Sequence, residues 1–209
     1  MFPGETRPGG RNPSFMEKEL SGRMEKELSG RTIAILVTDG FEQVEMTEPR
    51  NALNRAGAKT ILISPRAGEV QGMNHSEKGD KFKVDQTLAS VASDDFDALL
   101  LPGGVANPDR LRTIPDAVKF VSSFVKEQKP IAAICHGPWM LVETGALRGR
   151  TLTSWPSLKT DVINAGANWV DREVVVDGNL VTSRKPEDIS AFNEKLLKVF
   201  SAAVSPMHR

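Results

Sequence analysis

The sequence predicts an α/β protein: a doubly wound, mostly parallel sheet between two helical layers, a three-layer sandwich with one β-hairpin. Three observations carry this. The runs "TIAILVT" (32–38), "TILIS" (60–64), "ALLLP" (98–102) and "IAAI" (131–134) are short and apolar on both faces, as strands covered on both sides must be. Helical stretches alternate with them, the pattern of parallel strands joined by crossover helices. "EVVVDGNLVTS" (173–183) reads as two strands turning about Asp177-Gly178.

Taken in order, residues 1–15 are rich in Gly, Pro and Arg and predict disorder. The octet "MEKELSGR" follows twice, at 16–23 and 24–31, with Leu20 and Leu28 its only sizeable aliphatics. Such polar copies cannot stack into a solenoid, so residues 1–31 read as a disordered or frayed leader and 32–205 as a single domain. After the first strand, "MTEPRNALNRAG" predicts a helix with Pro49 in its early turn and Gly57 as its stop. In "PDAVKFVSSFVKEQ" (115–128), Val118, Val121, Phe124 and Val125 share a face. "SLKTDVINAG" and "PEDISAFNEKLLKVF" also read as helices.

The composition narrows function. Lys+Arg and Asp+Glu are both 27, a net charge of zero, which argues against nucleic-acid binding. No apolar run is long enough to span a bilayer, and the first 30 residues lack the apolar middle of a secretory signal, so a cytoplasmic location is expected. The single cysteine precludes an internal disulfide. There is no phosphate-binding loop, dinucleotide fingerprint or metal-ligand spacing, so neither cofactor nor metal is expected.

In doubly wound sheets ligands gather at the carboxyl ends of strands. The turns there are "DGFEQVE", "PGGVANPD", "CHGPW", "WPS" and "RKP", the fourth following a strand read in "TLTS". Together they assemble a thiol, an imidazole, carboxylates and a glycine pair. Cys135 would sit where strand turns sharply into helix, a strained elbow that lifts its side chain above the sheet. The helix N-terminus below would favour thiolate. A lone cysteine in an apolar strand is also commonly just a small hydrophobe. Gly104 N–H and His136 N–H could form an oxyanion hole, and the glycines could equally make only a tight turn. Trp139 and Trp155 suit either a pocket wall or packing, and His75, in "QGMNHSEKGDK", reads as a loop residue.

"DGFEQVEMTEP", "FDALLLPGG", "ICHGPWML", "GALRGRTLTSWPSLKTDVINAGANWVD" and "EVVVDGNLVTSR" resemble, in order and spacing, the PfpI-type branch of the ThiJ/PfpI superfamily over roughly residues 32–200. The resemblance implies a flavodoxin-like fold, Cys135 as nucleophile, His136 as its imidazole partner and Glu45 as the acid approaching the thiol. It also implies a homo-oligomer in which an acid just after the "PGG" turn orients the histidine of a neighbouring subunit. Asp109 occupies that place, one residue later and one methylene shorter than the family's Pro-Glu; as a residue it is equally a helix cap. Beside a thiolate, Glu45 is most useful protonated, with a raised pKa, although a glutamate near a helix start is commonly just solvated. Successive side chains on a turn diverge, so His136 is expected to act on the thiol through space, as a cation.

The chemistry implied is attack of a Cys135 thiolate on electrophilic carbon. On a reactive aldehyde such as methylglyoxal, or on a glycated protein, this makes a glutathione-independent glyoxalase or deglycase-like stress-protection enzyme. On a peptide carbonyl it makes an intracellular cysteine protease. Without turnover, the thiol would serve a redox sensor or holdase.

Overall fold

The computed structural model describes residues 27–203. Its strands are β1 (Thr32–Leu36), β2 (Phe41–Glu42), β3 (Lys59–Ser64), β4 (Glu69–Asn74), β5 (Glu77–Lys83), β6 (Gln86–Thr87), β7 (Ala98–Leu101), β8 (Ile131–Ile134), β9 (Thr151–Leu152), β10 (Asn168–Trp169), β11 (Val174–Asp177) and β12 (Leu180–Ser183). Its helices are α1 (Gln43–Arg55), α2 (Ala106–Leu111), α3 (Pro115–Lys126), α4 (Trp139–Glu143), α5 (Lys159–Asn164) and α6 (Ile189–Ala202). Seven strands form the central sheet in the order β11-β12-β8-β7-β1-β3-β6, parallel except for the β11–β12 hairpin.

Strand periodicity divides the core. Along β1 and just beyond it, Ile33, Ile35 and Val37 join the layer that contains Leu53 of α1 and Phe192 and Leu196 of α6. Ala34 and Leu36 point the other way, to Phe120, Val121 and Phe124 of α3 and Val162 of α5. Alternate side chains of a pleated strand face opposite sides, so one apolar run feeds both helical layers. This is the flavodoxin-like sandwich expected.

Four details differ from the sequence reading. First, β9, the strand of "TLTS", lies outside the central sheet and pairs with β10. Side chains take the place of a ladder there: Asp177 accepts the Thr151 N–H and Thr182 Oγ1 accepts the Thr153 N–H. Second, β2, β4 and β5 form a small separate sheet, secured by Phe82 of β5 against Phe41. Third, α1 begins at Gln43, which puts Pro49 in the helix interior; lacking an N–H, it leaves the Glu45 carbonyl without its i+4 donor. Fourth, residues 27–31 belong to the domain. Leu28 is fully buried and donates its N–H to Ala56 O, and Arg31 pairs with Asp97. The leader expected over 1–26 and the domain's expected last residues, 204 and 205, lie outside the described residues. Among the described residues no helix is long and apolar enough to cross a membrane.

Candidate active site

Cys135 follows β8 directly, with φ of 61°, in the left-handed region that side chains other than glycine avoid. Such a conformation costs on the order of 1 kcal/mol or more and persists only where its surroundings enforce it. Here Cys135 N–H donates to Ser183 O at 3.0 Å, Trp155 N–H donates to Cys135 O at 2.9 Å, and Gly137 N–H closes the turn onto Ile134 O at 2.8 Å. A Cβ at Gly137 would lie 2.3 Å from Leu101 O, so the turn can close only on a glycine.

α1 delivers Glu45. Its side chain is fully buried, not solvated: Oε2 accepts the Gly103 N–H at 3.0 Å, and the carboxyl lies against the Cys135 thiol. Oε1 has no hydrogen-bond partner among the described residues. Burial chiefly, with the Glu42 charge adding, pushes the Glu45 carboxyl from 4.5 up to about 8. Glu45 therefore keeps its proton at neutral pH, the state expected of it.

The expectation of a thiol ionised by a helix N-terminus is corrected. Burial first, then the Glu45 charge, push the Cys135 thiol up, and the N–H groups of Gly104 and His136 only partly offset them. α4 is five residues long and starts four residues beyond Cys135, so its dipole is small and remote. The backbone N–H groups of Gly104 and His136, the pair expected to form an oxyanion hole, lie beside the sulfur and favour its negative charge.

His136 also differs from its reading. Burial lowers it from 6.5 to about 4, so at rest it is neutral at pH 7 and is not the cation expected to act on the thiol through space. Nor do the two side chains diverge: His136 Nδ1 lies 3.2 Å from Cys135 Sγ. Successive side chains point apart in extended chain, and the left-handed Cys135 residue removes that opposition. The ring is set between Trp139, met edge-on at 5.3 Å, and Trp155, stacked at 6.0 Å with 25° between planes.

These groups meet in a cavity of about 660 Å³, lined by Cys135, His136, Glu45 and Gly104, with Val105 and Trp155 on its exposed lip. Asp109 is not on that wall. It is exposed in the first turn of α2, and among the described residues no hydrogen bond joins it to His136. Two site residues were missed from sequence. His75 lines the cavity because β4 pairs with β2, and its N–H donates to the Glu42 carboxylate at 3.0 Å. Ser157 Oγ lies 3.4 Å from His136 Nε2. Nothing local signals the β2–β4 pairing, whereas "WPS" was already visible as a rim turn. Among the described residues no group of three or more His, Cys, Asp or Glu is placed to hold a metal ion.

The DJ-1/PfpI family model matches residues 31–199. A Bacillus subtilis protein named "Putative cysteine protease YraA" is 46% identical over 170 residues, 81% of this chain and 98% of its own. "Deglycase PYRAB04690" of Pyrococcus abyssi is 44% identical over 167 residues, 80% of this chain and 98% of its own. Among solved structures, Drosophila melanogaster DJ-1beta superposes with a TM-score of 0.75 at 31% identity, covering 83% of this chain and 91% of that one.

Proposed function

Because the chain belongs to the DJ-1/PfpI family, we propose that it is a cysteine-dependent enzyme that converts α-oxoaldehydes such as methylglyoxal, free or already added to protein groups, to 2-hydroxy acids without an added thiol cofactor. The observation that carries this is Glu45: a fully buried carboxyl, protonated at neutral pH, against the thiol of the chain's single cysteine and facing a cavity.

The geometry supports a balanced sequence of steps. The Cys135 thiol passes its proton to His136 Nδ1 as sulfur attacks the aldehyde carbon, and Glu45 protonates the aldehyde oxygen. The product is a hemithioacetal, and Glu45 is now a carboxylate. Glu45 takes the proton from that carbon; the electron pair forms an enediol, whose second oxygen takes the proton held by His136. Glu45 then protonates the adjacent carbon while the first hydroxyl returns its proton to His136, leaving a thioester. Water attacks the thioester, the 2-hydroxy acid departs with its acid proton going to solvent, and sulfur, His136 and Glu45 regain their starting states.

Proteolysis is the second reading, supported by the name of the Bacillus relative. Attack on an unactivated peptide carbonyl needs donors aimed at the oxyanion. An aldehyde needs less help, and Glu45 can supply its proton. The test is methylglyoxal depletion and casein cleavage by the wild type and Cys135→Ala. Depletion reduced to background in the variant, with casein intact, is expected. Cys135-dependent casein cleavage that survives repurification, with methylglyoxal untouched, would overturn the aldehyde reading.

A further inference from the structure

Resting on the reading of His136 as proton acceptor for Cys135, we infer that Ser157 is a positioning residue that holds the imidazole in its Nε2–H tautomer, leaving the Nδ1 lone pair for the thiol. A neutral imidazole has one donor nitrogen and one acceptor nitrogen. Nδ1, 3.2 Å from Cys135 Sγ, can receive the thiol proton only if the ring hydrogen is on Nε2. Among the described residues, the hydrogen-bond partner of Nε2 is Ser157 Oγ, at 3.4 Å.

The Ser157 turn is built into the same elbow. Trp155 N–H donates to Cys135 O, Trp155 stacks on the imidazole, and Leu158 is fully buried beneath. Ser157 itself is exposed, so its hydroxyl hydrogen can go to water while its oxygen accepts from Nε2–H. Loss of that oxygen strands an N–H in the competent tautomer but only a lone pair in the other. Orphaned N–H groups are the less tolerated of the two, so the population moves to the tautomer that cannot accept the thiol proton. The acceptor is also in place when the ring becomes imidazolium, which donates from both nitrogens.

Ring nitrogen shifts from long-range ¹H–¹⁵N spectra of the full chain read the tautomer directly, with His136 assigned by difference against His136→Gln. The wild type is expected to show Nε2–H, and Ser157→Ala a mixture or Nδ1–H. Ser157→Ala is further expected to lower kcat for methylglyoxal about fivefold at unchanged KM, the size of one neutral hydrogen bond. Ser157→Thr, which keeps the hydroxyl, should restore both the spectrum and kcat. A wild-type Nδ1–H tautomer, an unchanged Ser157→Ala spectrum, or a tautomer shift in Asp109→Asn instead would each overturn the inference. The spectrum needs no substrate. Failure to consume methylglyoxal therefore counts against the proposed reaction alone, and an unmoved tautomer in an active enzyme counts against Ser157 alone.

Discussion

Two cavities among the described residues are similar in size and unequal in chemistry. The one at the carboxyl end of the sheet, about 660 Å³, holds Cys135 in a left-handed conformation, a buried Glu45 with an unpartnered oxygen, and a neutral His136. The other, about 570 Å³, lies between the β11–β12 hairpin and the last turns of α6, walled by Lys195, Lys198, Val176 and Asn179. It too has a non-glycine residue at positive φ, Gln128 at 55°, but its lysines are not buried. Volume and strain are thus common to both. What distinguishes the first is ionisable groups taken out of water and set against one another, which is what moves a pKa.

The comparison can be broken first at Glu45. Glu45→Gln keeps the size but cannot exchange a proton, and methylglyoxal turnover is expected to fall about 100-fold; unchanged turnover would show that burial of this acid has no catalytic consequence. The same variant tests stability. Folding raises Glu45 from 4.5 to about 8, so the folded state binds the proton more tightly than the unfolded one. The stability this confers is complete below about pH 4.5 and is lost as pH rises through about 8. At ~1.4 kcal/mol per unit the loss has an upper bound of about 5 kcal/mol. Denaturant titrations across pH 4 to 9 should show that decline in the wild type and a flatter profile in Glu45→Gln; parallel profiles would refute it.

A smaller effect is expected at Gly103. A Cβ there would lie 2.5 Å from Glu45 Oε2, 2.6 Å from Cys135 Cβ and 2.8 Å from Ile134 O. Gly103→Ala should lose about 1–3 kcal/mol of stability by overpacking and slow thiol alkylation. A normal denaturation midpoint would mean the elbow gives way easily. The smallest effect belongs to the second cavity. Lys195→Ala and Lys198→Ala should stay within about 0.5 kcal/mol of the wild type, with normal turnover, as surface changes do. Lost activity in either would erase the contrast between the two cavities.

Much of this was legible without coordinates. The four apolar strands appear within two residues of their expected bounds, and the cysteine elbow is local, carried by Ile131–Ile134 and the Gly-Pro that follows. The small sheet was not legible, because "EKGDKFK" has no apolar face until Phe82 meets Phe41 from 41 residues away. Ser157 was visible as a rim residue but not as a partner, since tertiary contacts, the Trp155–Cys135 hydrogen bond and the stacking of Trp155 on the imidazole, bring its turn to His136.

By itself the sequence determined the layered α/β fold, the turn that carries Cys135 and the kinds of residue gathered on its rim, because these follow from periodicities and turn chemistry spanning a few neighbours. Only the tertiary structure decided their protonation states. A protonated Glu45, a neutral His136 and a thiol held from ionising all result from removal of water, and water is removed by segments far apart in the chain, such as Glu45 on α1 closing against Gly103, 58 residues on.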